Sequence, residues 1–176
     1  MQVAAGIYRE IVWRLLCSAH LLLLLSALLF LAIGCAKTAP VNIAPVDIQV
    51  LEKWSGDFPV AELDRLPDGQ QESAAGYIGD AETFLSVWRA FKPTEILPAI
   101  DFNKNIALFT RNIQFYNRQN ILKVTLKDGT AEIITMETMS AIPIEEKVAM
   151  TMAVIPREGI RDIQAGPKKV RVMPYK

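Results

Sequence analysis

The side chains best suited to nucleophilic and metal chemistry crowd the start of this chain. Its only histidine, His20, and both of its cysteines, Cys17 and Cys35, fall within the first 35 residues. From Leu21 to Gly34 the sequence reads LLLLLSALLFLAIG, and Cys35 follows at once. Arg9 and Arg14 precede the apolar run, with Glu10 the only acid among them. A basic stretch, an apolar stretch and a small residue before a cut is the layout of a secretory leader. A thiol held at that boundary is placed for modification rather than for catalysis.

Leu31-Ala32-Ile33-Gly34-Cys35 resembles the lipobox of bacterial lipoproteins, with Ala32 where leucine is commonest. The resemblance implies a diacylglyceryl group on Cys35 and removal of residues 1–34. Each buried methylene of such a chain contributes about 0.8 kcal/mol, and two chains anchor stably. Two rival readings remain open. Leu15 to Gly34 approaches the roughly 20 residues of a membrane-spanning helix, although Ser18, His20 and Ser26 interrupt it. A plain cleaved leader would release the protein. Neither rival needs a cysteine at the boundary. Ala36, not aspartate, follows Cys35; aspartate there resembles an inner-membrane retention signal of enterobacterial lipoproteins. The outer membrane, with the body facing the periplasm, is therefore the default location.

Loss of the leader would take every imidazole and leave no free thiol. Ser-His-Asp and Cys-His schemes then lack parts, as do zinc sites built on His or Cys. No cofactor and no metal are expected. The remaining serines, Ser55, Ser73, Ser86 and Ser140, lie in neither a nucleophile elbow nor a Ser-x-x-Lys motif. Of 19 basic and 19 acidic side chains the leader takes Arg9, Arg14 and Glu10. The body is thus near charge balance, and no field favours nucleic acid.

The best recognition segment is Arg111 to Asn120. Arg111, Asn112, Gln114, Phe115, Tyr116 and Arg118 bring guanidinium groups, aromatic rings and amides together. Such mixtures stack and hydrogen-bond, and Arg and Tyr are enriched where interfaces concentrate their energy. The plainer alternative is that Ile113 and Phe115 point inward while the polar residues solvate a loop. Asp101 and Lys104 suit a local ion pair or a turn. Glu145-Glu146 could serve a glycan hydrolase only across a cleft, and neighbours on a strand diverge. Lys168, Lys169, Arg171 and Lys176 form a basic C-terminal patch that suits a solvated edge strand or anionic head groups. Met136, Met139, Met150 and Met152 suit packing better than soft-metal binding.

The elements that must position these residues follow from pattern. Residues 1–34 read as leader, 35–45 as lipidated cysteine and tether, and 46–176 as one domain. Val46 to Val50 alternates as a strand, with Trp54-Ser55-Gly56 closing it, and 61–75 reads as a polar loop. Asp80 is placed to cap a helix whose Phe84, Leu85, Val87, Trp88 and Phe91 share one face. Glu82 suits its first turn and Pro93 stops it. Strands are predicted at 105–110, 121–126, 131–138, 147–155 and 168–173. Asp128-Gly129 joins the second and third as a hairpin. The sum is an α+β domain, a mainly antiparallel β-sheet with one principal amphipathic helix packed on it.

Tyr77 to Phe109 is similar to the start of the PrcB C-terminal domain family, named for an accessory subunit of a bacterial envelope protease complex. The similar residues are Asp80-Ala81-Glu82-Thr83-Phe84-Leu85-Ser86-Val87-Trp88, then Pro98-Ala99-Ile100-Asp101-Phe102-Asn103-Lys104, then an apolar strand. The family's following Gly-rich turn is replaced here by Arg111–Asn120, which has no glycine. The resemblance implies a small, non-catalytic envelope domain. Three functions are carried forward: a lipid-anchored module that binds another envelope protein, a carboxylate-dependent cell-wall glycan hydrolase, and a carrier of a small apolar ligand.

Overall fold

The structure is a computed structural model that describes residues 44–174. The leader, Cys35 and the tether up to residue 43 lie outside the described residues, as does Lys176. The described residues all belong to one unit. Its elements in order are β1 (Val46–Ile48), β2 (Glu52–Pro59), a 3-10 turn (Val60–Arg65), β3 (Ala75–Ile78), α1 (Ala81–Phe91), β4 (Asn105–Arg111) and β5 (Gln119–Lys127). They continue with β6 (Thr130–Glu137), β7 (Lys147–Pro156), β8 (Asp162–Ala165) and β9 (Lys168–Arg171).

The class is the expected α+β, mostly antiparallel strands with one helix packed on them. The strands divide between two sheets, ordered β1-β5-β6-β8-β9 and β2-β7-β4-β3. All pairings are antiparallel except β6 with β8. The four-stranded sheet is the middle layer. One of its faces packs on α1 and the other on the five-stranded sheet, each through its own apolar cluster. This explains why β4 and β7 are apolar on both faces.

Helix α1 starts where Asp80 accepts from the Thr83 amide at 2.8 Å, and Glu82 sits in its first turn. Phe84, Val87, Trp88 and Phe91 are buried while Leu85 is half-buried. The four buried residues meet Trp54, Phe58 and Phe102 in a largely aromatic cluster, with Trp54 edge-on to Trp88 at 5.1 Å. Burial of each large side chain contributes at most about 1.5–3 kcal/mol. The Asp128-Gly129 hairpin forms as predicted, with φ of 50° and 77°; both turn positions require that left-handed region. Gly76 is demanded by space instead. A Cβ there would stand 2.5 Å from the Phe109 ring and 2.1 Å from Gln70 Oε1.

Two expectations are corrected. Trp54-Ser55-Gly56 does not close a strand but lies inside β2, and the 61–75 loop contains most of a 3-10 turn. The expected edge strand at the C-terminal end is β9, whose Lys169 and Arg171 both reach Asp162, at 3.2 and 3.4 Å. Those cations are engaged within the sheet.

Candidate functional site

Along β2 the residues alternate between two destinations. Trp54 and Phe58 enter the aromatic cluster under α1. Lys53, Ser55 and Asp57, at every second position, must therefore face the five-stranded sheet. In a packed sandwich that face would be apolar. Here it is polar, and the sandwich stands open beside it. Strand β1 contributes only Val46–Ile48, which cover Val124 to Leu126 of β5. The first residues of β5, from Gln119, extend beyond it.

A cleft of about 300 Å³ fills this open corner, lined by Ser55, Gly56, Asp57, Arg118, Gln119, Ala149, Met150 and Thr151. Lys53 Nζ donates to Asn120 Oδ1 at 2.8 Å and to the Ile121 carbonyl at 3.1 Å, clamping β5 to β2. The Ser55 and Thr151 hydroxyls are 3.0 Å apart, and Thr151 donates onward to the Gln119 carbonyl at 2.5 Å. The Tyr116 phenol donates to Asp57 at 2.5 Å. That carboxylate, followed by burial, holds the phenol above its ordinary range, and Arg118 beside it pulls the other way.

Two loops hold Tyr116 and Arg118 in place. Glu137 accepts from the side-chain amides of Asn112, Asn117 and Gln119. Asn117 Oδ1 in turn accepts from the Ser140 amide at 2.8 Å, and Tyr116 N donates to the Ile142 carbonyl at 2.9 Å. Phe115 and Pro143 form an isolated bridge. The segment before β5 and the segment after β6 are thereby stapled.

The six recognition residues divide. Tyr116 and Arg118 converge at the cleft. Asn112 builds a turn, its Oδ1 accepting from the Gln114 and Phe115 amides at 2.8 Å each. Gln114 and Phe115 are exposed, as is Ile113, so the inward orientation considered for Ile113 and Phe115 does not occur. Arg111 is corrected outright. It is 4% exposed and its guanidinium donates to the Ser73 carbonyl at 3.1 Å and to that of Gln71. Burial pushes its pKa down from the ordinary arginine value. It braces the loop before β3 and cannot meet a partner.

Pattern reading missed Lys53, Ser55, Asp57 and Thr151. The signal was the alternation from Lys53 through Phe58, which reads as a half-buried strand once Gly56 is not taken as a stop. Other candidates carry structural duties. Asp101 accepts from the amide and side chain of Asn103, which hold its carboxyl below the ordinary value, with Lys104 at 3.6 Å adding to the effect. Met150 and Met152 are core, whereas Met136 and Met139 are exposed.

A larger recess of about 390 Å³ near Arg157 is less suited to a ligand. Arg157 donates to the Gly79 and Met173 carbonyls, Tyr77 accepts from the Met173 amide, and Asp80 caps α1. Among the described residues no group of His, Cys, Asp and Glu is arranged to hold a metal ion, and no helix is long and apolar enough to cross a membrane. No family model matches the chain, and neither the curated proteins nor the solved structures yield a match.

Proposed function

We propose that this chain is a lipid-anchored protein of the bacterial cell envelope whose α+β domain binds another envelope protein without catalysis. The observation that carries this reading is Cys35 set directly behind the apolar run, with the first strand beginning at Val46. That spacing leaves a short Pro-bearing tether between lipid and domain. The resemblance to the PrcB C-terminal domain family points the same way.

The cleft adds support. Its lining holds one carboxylate, Asp57, and that carboxylate is engaged by Tyr116. Glycan hydrolysis needs two carboxylates about 5–10 Å apart with one free to act. A carrier of apolar ligands needs internal room, and the space between α1 and its sheet is filled by Trp54, Phe84, Trp88, Phe91 and Phe102. What the cleft offers is hydroxyls, amides and a guanidinium on a rigid frame, the equipment of a binding surface.

Mass spectrometry of the N-terminal peptide tests the anchor. The expected product begins at Cys35 and carries acyl chains, and Cys35→Ser moves the protein from the membrane to the soluble fraction. Globomycin should make the precursor accumulate. A bare Cys35, or a retained leader, would overturn the assignment.

A further inference from the structure

Strand β2 is the last strand of its sheet, paired with β7 on one edge and with no described strand on the other. The register shows which main-chain groups face outward. Val60 N donates to Glu146 O, and these residues are partners by extension of the β2–β7 register. Arg157 N donates to Lys104 O, the corresponding extension of β4–β7. Antiparallel hydrogen bonding alternates. Even-numbered residues of β7 therefore serve β2 and odd-numbered ones serve β4. On β2, Trp54, Gly56 and Phe58 bond to β7. The N–H and C=O groups of Lys53, Ser55 and Asp57 point away from the sheet.

This edge is flanked on both faces at the same residues. The polar cleft on one side includes Gly56 and Asp57, and so does a recess of about 300 Å³ on the other. The second recess is lined by Pro59, Ala90, Phe91, Lys92, Pro93 and Lys147. One is walled by hydroxyls and a guanidinium, the other by apolar rings and stems. Successive side chains of an extended chain point to opposite faces. An added strand would thus send alternate side chains into the two recesses. Asp57 is engaged by Tyr116, and Lys92 is bridged to Glu95 at 3.0 Å. The Asp57 carboxylate keeps its charge while accepting from a neutral phenol, but the cations Lys53, Arg118 and Lys147 outnumber it around this edge.

We infer that the free edge of β2 is a docking site for an extended peptide segment of a partner protein. The segment pairs with Lys53, Ser55 and Asp57 through its main chain. It places an apolar residue against Phe91 and Pro93 and an acidic residue beside Arg118. Main-chain bonds supply affinity in strand addition, and the alternate recesses supply selectivity. This deepens the binding function proposed above and rests on it, but it does not depend on the lipid.

The probe is a fluorescently labelled, C-terminally amidated peptide, Thr-Val-Glu-Leu-Thr, titrated into the full chain in detergent micelles and read by anisotropy and amide hydrogen exchange. Binding should slow exchange at Lys53, Ser55 and Asp57, the amides that face outward, while Trp54 and Gly56 are already protected. Ser55→Pro removes one outward donor and leaves β7 its partners, as proline is tolerated on an edge. It should weaken binding roughly tenfold, the cost of one main-chain hydrogen bond in an otherwise intact interface. N-methylation of the peptide's central glutamate should do the same without touching the protein, so a folding defect in the variant cannot mimic the result. Replacing the glutamate by lysine should also weaken binding, because it meets Arg118. Absence of binding at millimolar peptide, protection at β9 instead of β2, or indifference to both Ser55→Pro and N-methylation would overturn the inference. So would self-association of the chain through β2 that excludes the peptide. The Cys35→Ser form should bind equally, so failure of the anchor and failure of the docking edge are read separately.

Discussion

Trp54, Gly56 and Phe58 of β2 face a helix, while Lys53, Ser55 and Asp57 of the same strand face an open corner between two sheets. On the helix side the rings interlock and no polar side chain is needed. On the corner side the polar groups are satisfied by a clamp, a hydroxyl pair and a phenol. The chain thus spends one set of residues on holding the sheet to α1 and the alternating set on a surface. Change on the first set should unfold the domain, whereas change on the second should alter what it binds.

Phe58→Ala tests the first half of that contrast and has the largest expected effect. Phe58 is fully buried, and truncating such a ring costs about 3–5 kcal/mol. Ser55→Ala, three residues away on the other face, removes only one partly buried hydroxyl contact and should cost about 1 kcal/mol or less. Urea unfolding of the two variants gives the comparison directly. Equal losses would mean that the corner is as much core as the aromatic cluster.

The two arginines of the 111–118 segment sharpen the contrast within one loop. Arg111→Ala leaves the Ser73 and Gln71 carbonyls without their donor and should destabilise by about 2–4 kcal/mol. Arg111→Lys should recover little, because an ammonium cannot reproduce the fork that spans two carbonyls. Arg118→Ala removes an exposed side chain and should stay within about 0.5 kcal/mol, while reducing affinity for the acidic peptide. Thermal melts and titrations of the same three variants decide between a structural and a recognition role for each position.

This pair also shows how far the sequence could be read. Composition announced two arginines in a mixed loop, and nothing local separates them. Arg111 is buried because β4 continues one residue past its expected end at Thr110, and the loop before β3 passes beside it, Ser73 lying 38 residues earlier in the chain. Tertiary placement of that kind has no periodic signature. By contrast α1, the Asp128-Gly129 hairpin and the doubly apolar β7 were legible because each is fixed by local chemistry: a cap and an apolar stripe, a pair of left-handed residues, burial on both faces. The cleft was half legible. Tyr116 and Arg118 stood out by type, but Ser55 and Asp57 were hidden by a glycine that resembled a stop and instead gives space to Phe91 and Lys92, each 3.3 Å from where its Cβ would stand. The division into two sheets was not legible at all, since a strand's own pattern does not say which neighbour it will pair with.

A smaller effect than at Phe58 or Arg111 is expected at the phenol that engages Asp57 beside the cleft. Tyr116→Phe removes the donor to Asp57 and should cost about 1 kcal/mol, the ordinary net value of such a bond at a partly exposed site. Its pH dependence tells a bond to a carboxylate from simple packing. The folded protein holds the Tyr116 pKa above its ordinary value of 10.0, chiefly because Asp57 accepts its proton. A group with a raised folded pKa gives its full stabilisation below the unfolded value and loses it as pH rises through the folded one. The stability difference between the parent chain and Tyr116→Phe should therefore be flat from neutral pH to about pH 10 and shrink above it. If the benefit came from ring packing, which phenylalanine keeps, no difference would exist at any pH. If it came from the phenolate meeting Arg118, the difference would grow with alkalinity instead. Denaturant melts of both chains between pH 7 and 11 distinguish the three, and only the first is compatible with Asp57 being occupied by its neighbour and not available to a ligand.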